Sequence, residues 1–198
     1  MTRDLASALP RGQGLALIGA RGTGKSTVGR LLARRVHRRF LDLDPEIEAR
    51  AGRSIRAIFT DWGEPAFRDW EERTLAAVTE ANPGAILATG GGAVLRPVNR
   101  QRIRAFGFVV WLTADPDELA RRLEADPRGL SDRPALTTAG TLREIAQVLH
   151  QRSPLYRELA GAVVETGGKS PDAVVQAILA CWTSPRERTL ASPEPPLA

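Results

Sequence analysis

A nine-residue segment near the start of the 198-residue sequence carries its clearest chemical signal. Residues 19–27 read GARGTGKST and match the phosphate-binding pattern G-x-x-x-x-G-K-S/T at every fixed position. Glycines let the backbone turn so tightly that several N–H groups face one anion. Lys25 can reach the β- and γ-phosphates of a nucleotide, and the Ser26 hydroxyl can ligate Mg²⁺. The segment therefore predicts a site for a phosphorylated ligand with its metal ion.

The sequence on either side of this loop supplies the context that the motif requires. The apolar run LALI at 15–18 predicts a short buried strand, and apolar residues recur at helical spacing from Val28 to Val36. The loop then lies between a strand and a helix N-terminus, where the positive end of the helix favours an anion. A glycine-rich turn with a solvated lysine is the alternative, and these flanks argue against it.

Two carboxylates follow in the segment FLDLD at 40–44. Residues two apart in a strand point to the same side, so Asp42 and Asp44 can both face the site. One can hold the water shell of Mg²⁺ while the other accepts a proton from a substrate hydroxyl. The competing interpretation is that Asp44, which precedes Pro45, only caps a helix.

Three glycines and three arginines complete the candidate residues. The glycines at 90–92 follow the apolar run 85–88 and permit close approach of a ligand to the backbone. Arg68, Arg133 and Arg152 carry guanidinium groups, whose fork matches carboxylate and phosphate. In a chain so rich in arginine, each of these three taken singly is better explained as part of a solvated surface.

Strand and helix patterns alternate along the chain. Predicted strands cover 15–19, 39–42, 85–88, 108–112 and 162–165. Predicted helices cover 25–36, 45–51, 54–60, 64–80, 98–105, 116–124, 140–157 and 171–182. This alternation predicts an α/β fold with a parallel sheet covered on both faces, whose ligands lie beyond the carboxyl ends of the strands.

Composition narrows the class of protein. Apolar residues make up 42% of the chain, yet no apolar run approaches the ~20 residues that span a bilayer. Residues 1–14 lack the apolar core of a secretory signal, and a single cysteine, Cys181, allows no intrachain disulfide. The net charge of +5 comes almost wholly from arginine, with few interleaved aromatics and no nucleic-acid motif. We expect a cytoplasmic monomer with no membrane or nucleic-acid partner.

Together these residues resemble the shikimate kinase family over about residues 15–182. The matching stretches are GARGTGKST at 19–27, FLDLD at 40–44, GRSI at 52–55 with Ile58-Phe59, Gly63-Glu64 with Phe67-Arg68 and Glu71, GGGAV at 90–94, Arg133-Pro134, and Arg152-x-Pro154-Leu155-Tyr156. The resemblance implies a three-layer P-loop NTPase fold of the nucleoside-monophosphate-kinase type, with a five-stranded parallel sheet and a mobile lid at about 125–136. It also implies ATP-dependent phosphorylation of the 3-hydroxyl of shikimate, in the chorismate pathway to aromatic amino acids.

The resemblance assigns roles by position. For ATP and Mg²⁺ it implies Gly22, Thr23, Gly24, Lys25, Ser26 and Thr27 around the phosphates, Ser26 on the metal, Asp42 on the metal through water, Arg133 on the phosphates after lid closure, and Lys169 near the adenine. For shikimate it implies Asp44 at the 3-hydroxyl, Arg68 and Arg152 at the carboxylate, and Gly91 at a ring hydroxyl. Asp44, as the base, would be catalytic together with Lys25 and Arg133.

The sequence departs from the family pattern in places and leaves alternatives open. Lys169 stands where the family often has an arginine, so the charge is kept but planar stacking is lost. A gluconate-type kinase would share the phosphate loop but not the arginine pair with the triple glycine. A ligand-sensing regulator would need a DNA-binding domain, for which the short segment 1–14 has no room. We expect an extension at 1–14, a kinase domain at 15–182 and a disordered tail at 183–198.

The lid gives a prediction from sequence. Pro127, Gly129 and Pro134 bound Arg133 in a stretch with little apolar content, so amide exchange should find it mobile without ligand and ordered with both substrates. If Arg133 stabilises charge only during phosphoryl transfer, Arg133→Ala lowers kcat much more than it raises the KM for shikimate. A variant with normal kcat, or strong protection of the loop without ligand, would show Arg133 to be an ordinary surface arginine.

Overall fold

Five parallel strands form one sheet in the computed structural model, which describes residues 12–125 and 141–183. The strands are β1 (Gly14–Ile18), β2 (Phe40–Asp42), β3 (Ile86–Ala88), β4 (Gly107–Thr113) and β5 (Ala162–Glu165). Their order is β2-β3-β1-β4-β5, and every neighbouring pair is parallel. The predicted strands are confirmed, with ends that differ by one residue at most. Since all strands run the same way, their carboxyl ends share one edge of the sheet.

Helices connect the strands. In the described residues they are α1 (Lys25–Arg35), α2 (Leu43–Ala51), α3 (Ile55–Ala81), α4 (Pro97–Phe106), α5 (Pro116–Glu124), α6 (Thr141–Leu159) and α7 (Pro171–Thr183), with a short 3-10 turn at Ala93–Leu95. The 3-10 turn is absent from the sequence prediction. The helix α2 begins two residues earlier than predicted, directly after β2, which changes how Asp44 is held.

Two apolar clusters, one on each face of the sheet, make this a three-layer fold. Along β1 the side chains alternate: Ala16 and Ile18 join one cluster, while Leu15 and Leu17 join the other. The first cluster packs the sheet against α3, α4 and α6, and the second packs it against α1 and α7. A strand buried on both faces needs apolar residues at every position, which explains the unbroken run LALI. The predicted fold class is confirmed.

Some sequence predictions lie outside the described residues. They include Arg133, almost all of the expected lid at 125–136, the tail beyond Thr183 and the start of the extension at 1–14. In the part of the chain that the structure does describe, no helix is both long enough and apolar enough to cross a membrane.

A kink at Gly63 divides α3 into the two helices that the sequence predicts separately. Gly63 has φ 78° and ψ 176°, so the helical path is interrupted there, and Pro65 lies in the first turn of the second half. This combination of φ and ψ is essentially restricted to glycine. At the start of the first half, the Ser54 hydroxyl accepts a hydrogen bond from the Ala57 N–H at 3.1 Å. The kink therefore sets the direction of the second half, which carries Arg68.

Replacing Gly63 should be unusually costly. Gly63→Ala places a Cβ on a backbone that only glycine adopts without strain, so it should lower the free energy of unfolding by about 1–3 kcal/mol. The matched control is Gly52→Asn at the end of α2, where φ 64° and ψ 20° lie in a left-handed region that asparagine tolerates. Denaturant unfolding measures both variants, and an equal loss in the two would contradict a special constraint at Gly63.

Candidate active site

A cavity of about 580 Å³ opens at the carboxyl edge of the sheet. Its lining combines the phosphate loop with residues from four later segments: Arg21 to Val28, Asp42, Asp44, Thr89 to Gly91, Arg122, Leu123, Thr166, Lys169, Pro171 and Val174. Ligands of parallel sheets bind at this edge. The structure thus brings most of the predicted site residues to one cavity, although they come from distant parts of the chain.

Lys25 hydrogen-bonds back to the start of its own phosphate loop. The Lys25 ammonium donates hydrogen bonds to the carbonyl oxygens of Gly19, at 2.9 Å, and Ala20, at 2.7 Å. Gly22 and Gly24 have φ values of 79° and 85°, in the left-handed region that favours glycine. Gly24 is also the residue before α1, so the loop leads directly into a helix N-terminus. This arrangement places a buried positive charge and the positive end of a helix beside the same cavity.

Asp42 and Asp44 both line the cavity, but not for the reason given by the sequence pattern. The strand β2 ends at Asp42, and Asp44 lies in the first turn of α2. The expectation that both carboxylates stand on one strand is therefore wrong. The interpretation of Asp44 as the cap is also wrong, because Asp42 occupies that position and makes no capping hydrogen bond with its side chain. Between them, the fully buried Leu43 packs into the core and fixes the turn from strand to helix.

The carboxyl of Asp42 is harder to ionise than that of an ordinary aspartate. Burial raises the pKa of its carboxyl above the usual range, and the nearby Asp44 adds to this, while a hydrogen bond from Ser26 and the charge of Lys25 oppose it. The Ser26 hydroxyl and the Asp42 carboxylate are thus in contact at the cavity wall. A cation placed beside them would relieve the cost of this buried negative charge.

These two oxygen groups fit Mg²⁺. Mg²⁺ prefers oxygen ligands and is usually held by one or two protein groups together with substrate phosphates and water. Residues 12–125 and 141–183 contain no group of three or more His, Cys, Asp or Glu side chains that could hold a metal ion.

Arg68 is buried between two carboxylates of its own helix. Its Nε and Nη2 donate to Glu64 at 3.1 and 2.9 Å, and its Nη1 donates to Glu71 at 2.7 Å. Burial by itself lowers the pKa of Arg68, but the charge and hydrogen bond of Glu71, supported by Glu64, raise it above the ordinary value. The guanidinium therefore stays charged in a position that is only 8% exposed.

The triple glycine lies directly against this arginine. A Cβ on Gly92 would come within 2.4 Å of both terminal nitrogens of Arg68, so no larger residue fits there without displacing the guanidinium. The neighbouring Gly91 accepts a hydrogen bond from the Tyr156 hydroxyl at 2.5 Å, and Arg152 hydrogen-bonds to the same hydroxyl. Neither Arg68 nor Arg152 lines the cavity itself. Arg68 lies next to Gly92, and Arg152 is linked through Tyr156 to Gly91, which is part of the cavity wall.

The sequence interpretation misses the role of Arg122. Its guanidinium contacts the Gly22 carbonyl oxygen at 3.2 Å, the Thr166 hydroxyl at 3.1 Å and the Thr166 carbonyl oxygen at 2.8 Å. It thereby ties the phosphate loop to the segment after β5, where Lys169 is exposed at the cavity edge. Arg122 stands in an arginine pair on an amphipathic helix, and that pattern does not distinguish it from a surface residue.

Comparison with known proteins relates the chain to one family. The family model for shikimate kinase matches residues 21–183. A shikimate kinase of Pseudomonas syringae pv. tomato is 47% identical over 166 residues, which span 84% of this chain and 94% of that protein. One from Paracidovorax citrulli is 48% identical over 164 residues, which span 82% and 87% of the two chains.

A solved structure agrees in fold. The shikimate kinase from Acinetobacter baumannii in complex with shikimate superimposes with a TM-score of 0.81 at 36% sequence identity. The match covers 88% of this chain and 94% of the other. The likeness therefore extends over the sheet and helices that surround the cavity.

The raised pKa of Asp42 gives a prediction on stability. A raised carboxyl pKa means that the folded state binds the proton more tightly than the unfolded state does. Ionisation of Asp42 therefore lowers the stability of the folded state. This loss is absent at pH values below the pKa of Asp42 in the unfolded chain, and it is complete above the raised pKa in the folded chain. Asp42→Asn should be more stable than the parent at pH 7, by about 2–4 °C in Tm for each kcal/mol recovered. Thermal unfolding should show this gain shrink as pH falls through the raised pKa, and a loss of stability at pH 7 would contradict the assignment.

Proposed function

The chain belongs to the shikimate kinase family, and on that premise we propose how its own residues carry out the reaction. The reaction transfers a phosphoryl group from ATP to the 3-hydroxyl of shikimate and gives shikimate 3-phosphate, an intermediate on the way to chorismate and the aromatic amino acids. The observation that carries the residue assignments is the cavity in which the phosphate loop faces Asp44 and Gly91.

The phosphate loop is proposed to hold ATP. The backbone N–H groups of residues 22–27 and the N-terminus of α1 supply positive potential for the phosphates. Lys25 is held at the loop by two carbonyl oxygens, so its ammonium is positioned before the nucleotide arrives. Arg122 contacts the same loop at the Gly22 carbonyl oxygen, and Lys169, which also lines the cavity, is proposed to lie near the adenine.

Ser26 and Asp42 are proposed to hold Mg²⁺, Ser26 directly and Asp42 through water. When bound, the ion neutralises charge on the β- and γ-phosphates. The contact between the two side chains and the raised pKa of Asp42 both support a cation at this place, because a buried carboxylate gains most from a nearby positive charge.

Asp44 is proposed to accept the proton of the 3-hydroxyl as that oxygen attacks the γ-phosphorus. The new bond forms between the hydroxyl oxygen and phosphorus, and the bond from phosphorus to the bridging oxygen of ADP breaks. Asp44 lines the same cavity as the phosphate loop and stands in the first turn of α2. A charged carboxylate is the form that can take up the proton.

Arg68 and Arg152 are proposed to bind the carboxylate of shikimate, with Gly91 at a ring hydroxyl. Arg68 is fixed by Glu64 and Glu71, so little side-chain entropy remains to be lost on binding. The Nε of Arg152 is buried and has no hydrogen-bond partner among the described residues, which leaves a charged donor for a carboxylate oxygen. The triple glycine lets the ligand approach the backbone between these groups and the phosphate loop.

Closure of the segment around Arg133 is proposed to complete the site. Arg133 would add positive charge to the phosphates during transfer, and closure would exclude water, which competes with shikimate as the phosphoryl acceptor. We further propose a kinase domain at 15–182 between the extension 1–14 and the tail 183–198, acting as a cytoplasmic monomer. The family model and the relatives described above are shikimate kinases, which favours this function over the gluconate-type kinase and the ligand-sensing regulator.

An ADP-release assay tests this function and its base together. The wild-type chain should release ADP with shikimate, and far less with gluconate or without acceptor. Asp44→Asn keeps the size of the side chain but removes the charge that accepts the proton, so kcat should fall by about 10²–10⁴-fold while ATP still binds. A variant that keeps more than about a tenth of the wild-type kcat would remove Asp44 from the role of base.

A further inference from the structure

We propose that Tyr156 is a positioning residue for shikimate: its hydroxyl couples Arg152, at the carboxylate end of the substrate, to Gly91, at the ring. The inference rests on the proposed function, since it assumes that these two residues contact shikimate. It assigns to Tyr156 no contact with the substrate itself.

The hydroxyl of Tyr156 stands between the two groups it would couple. Its hydrogen is donated to the Gly91 carbonyl oxygen at 2.5 Å. A hydroxyl has a single hydrogen, so its bond with Arg152 must be one that it accepts from the guanidinium. Arg152 and Tyr156 are four residues apart on α6 and share one face of the helix. A directed chain of hydrogen bonds therefore runs from Arg152 through Tyr156 to Gly91.

The ring of Tyr156 is held so firmly that its hydroxyl has little freedom to move. The side chain is fully buried in the apolar cluster under the sheet, and its ring lies 5.7 Å from that of Trp111 on β4. Burial raises the pKa of Tyr156 to about 12, although Arg152 opposes the shift. The phenol therefore keeps its hydrogen at physiological pH and continues to donate to Gly91.

The charged groups near this chain of hydrogen bonds indicate that Tyr156 has a role beyond packing. Two charged or polar side chains meet the glycine segment: Arg68 lies next to Gly92, and Tyr156 donates to the Gly91 carbonyl oxygen. Since the Arg152 Nε is buried without a partner among the described residues, the bond to Tyr156 orients the guanidinium and leaves this donor available. A carboxylate bound to Arg152 would accept hydrogen bonds from the same guanidinium that donates to Tyr156. Binding at one end of shikimate is thereby transmitted to the backbone at the other.

The first test is Tyr156→Phe, which removes the hydroxyl and keeps the ring. The KM for shikimate should rise about tenfold, as expected for loss of a hydrogen bond to a charged group, whereas kcat and the KM for ATP should change much less. A purely structural role would lower thermal stability without this selective effect. An unchanged KM for shikimate in the variant would overturn the proposal.

Thr79→Val is the matched control. It also removes a hydroxyl that donates to a backbone carbonyl, here that of Leu75 at 2.7 Å. Thr79 lies on α3 about three turns beyond Arg68 and outside the proposed site. Its loss should affect stability alone, so a matching rise in the KM for shikimate would show that the Tyr156 effect is a general consequence of destabilisation and would overturn the proposal.

A second measurement uses the wild-type chain and does not depend on a variant that folds. Tyr156 is the only tyrosine in the sequence, so labelling tyrosine with ¹³C at Cζ gives a single signal next to the hydroxyl. Saturating shikimate should shift this signal, and ADP without shikimate should shift it far less. Absence of a shikimate-dependent shift would overturn the proposal.

These outcomes are separable from failure of the proposed function. If the wild-type chain released no ADP with shikimate, the function itself would fail, and with it this inference. If the wild type were active and Tyr156→Phe kept its KM for shikimate, the function would stand and only the coupling through Tyr156 would fall.

Discussion

The burial of the Arg68 guanidinium against the backbone of Gly92 is the constraint on which the proposed substrate side of this site depends. A charged group can be buried only when partners compensate for the water it loses. Glu71 and Glu64 provide that compensation, and both lie within one turn of Arg68 on α3. Glu64 follows the kink at Gly63 directly, so the kink and the ion pairs form one local unit. The absence of a side chain at Gly92 then lets the guanidinium pack against the glycine segment.

The two halves of the proposed site, one for the phosphates of ATP and one for shikimate, are built in different ways. The phosphate half is local, because a strand, a turn and a helix N-terminus within one short segment create both the geometry and the charge. Even the contacts of Lys25 are with carbonyl groups five and six residues away. The substrate half is assembled from α2, α3, the glycine segment after β3, and α6. Its precision therefore depends on packing in the apolar cluster beneath the sheet, where the Tyr156 ring lies.

Asp42 illustrates the tension between stability and function in such a site. Its carboxylate is partly buried beside another carboxylate, and burial raises its pKa. A chain selected only for stability gains nothing from this arrangement. Under the proposed function, a cation bound with the phosphates of ATP would make the arrangement favourable, so a cost carried by the free structure would be offset on binding.

The sequence by itself determined the strands, the sheet type and the phosphate loop, because each depends on a local pattern: a short apolar run, a helical period, or a glycine at a position with positive φ. It also predicted the two helices on either side of Gly63. Through the ordered resemblance to a family it named many of the residues that line the cavity, but not Arg122 or Thr166, and it named Arg68 and Arg152, which do not line it. It placed Asp44 on a strand, however, since the pattern of alternate residues does not show that β2 ends at Asp42 and that α2 begins immediately after it.

Only the tertiary structure decided what each arginine contacts. The sequence alone does not distinguish Arg68, Arg122 and Arg152 in a chain with so many arginines. Their neighbours are distant in sequence: Arg68 lies next to Gly92, and Arg122 contacts Gly22 and Thr166. Arg152 hydrogen-bonds to Tyr156, which in turn donates to Gly91. Such contacts depend on the order of the strands and on the packing of α3 and α6 against the sheet. A local sequence pattern shows neither the strand order nor this packing, because the energy that selects both comes from burial across the whole domain.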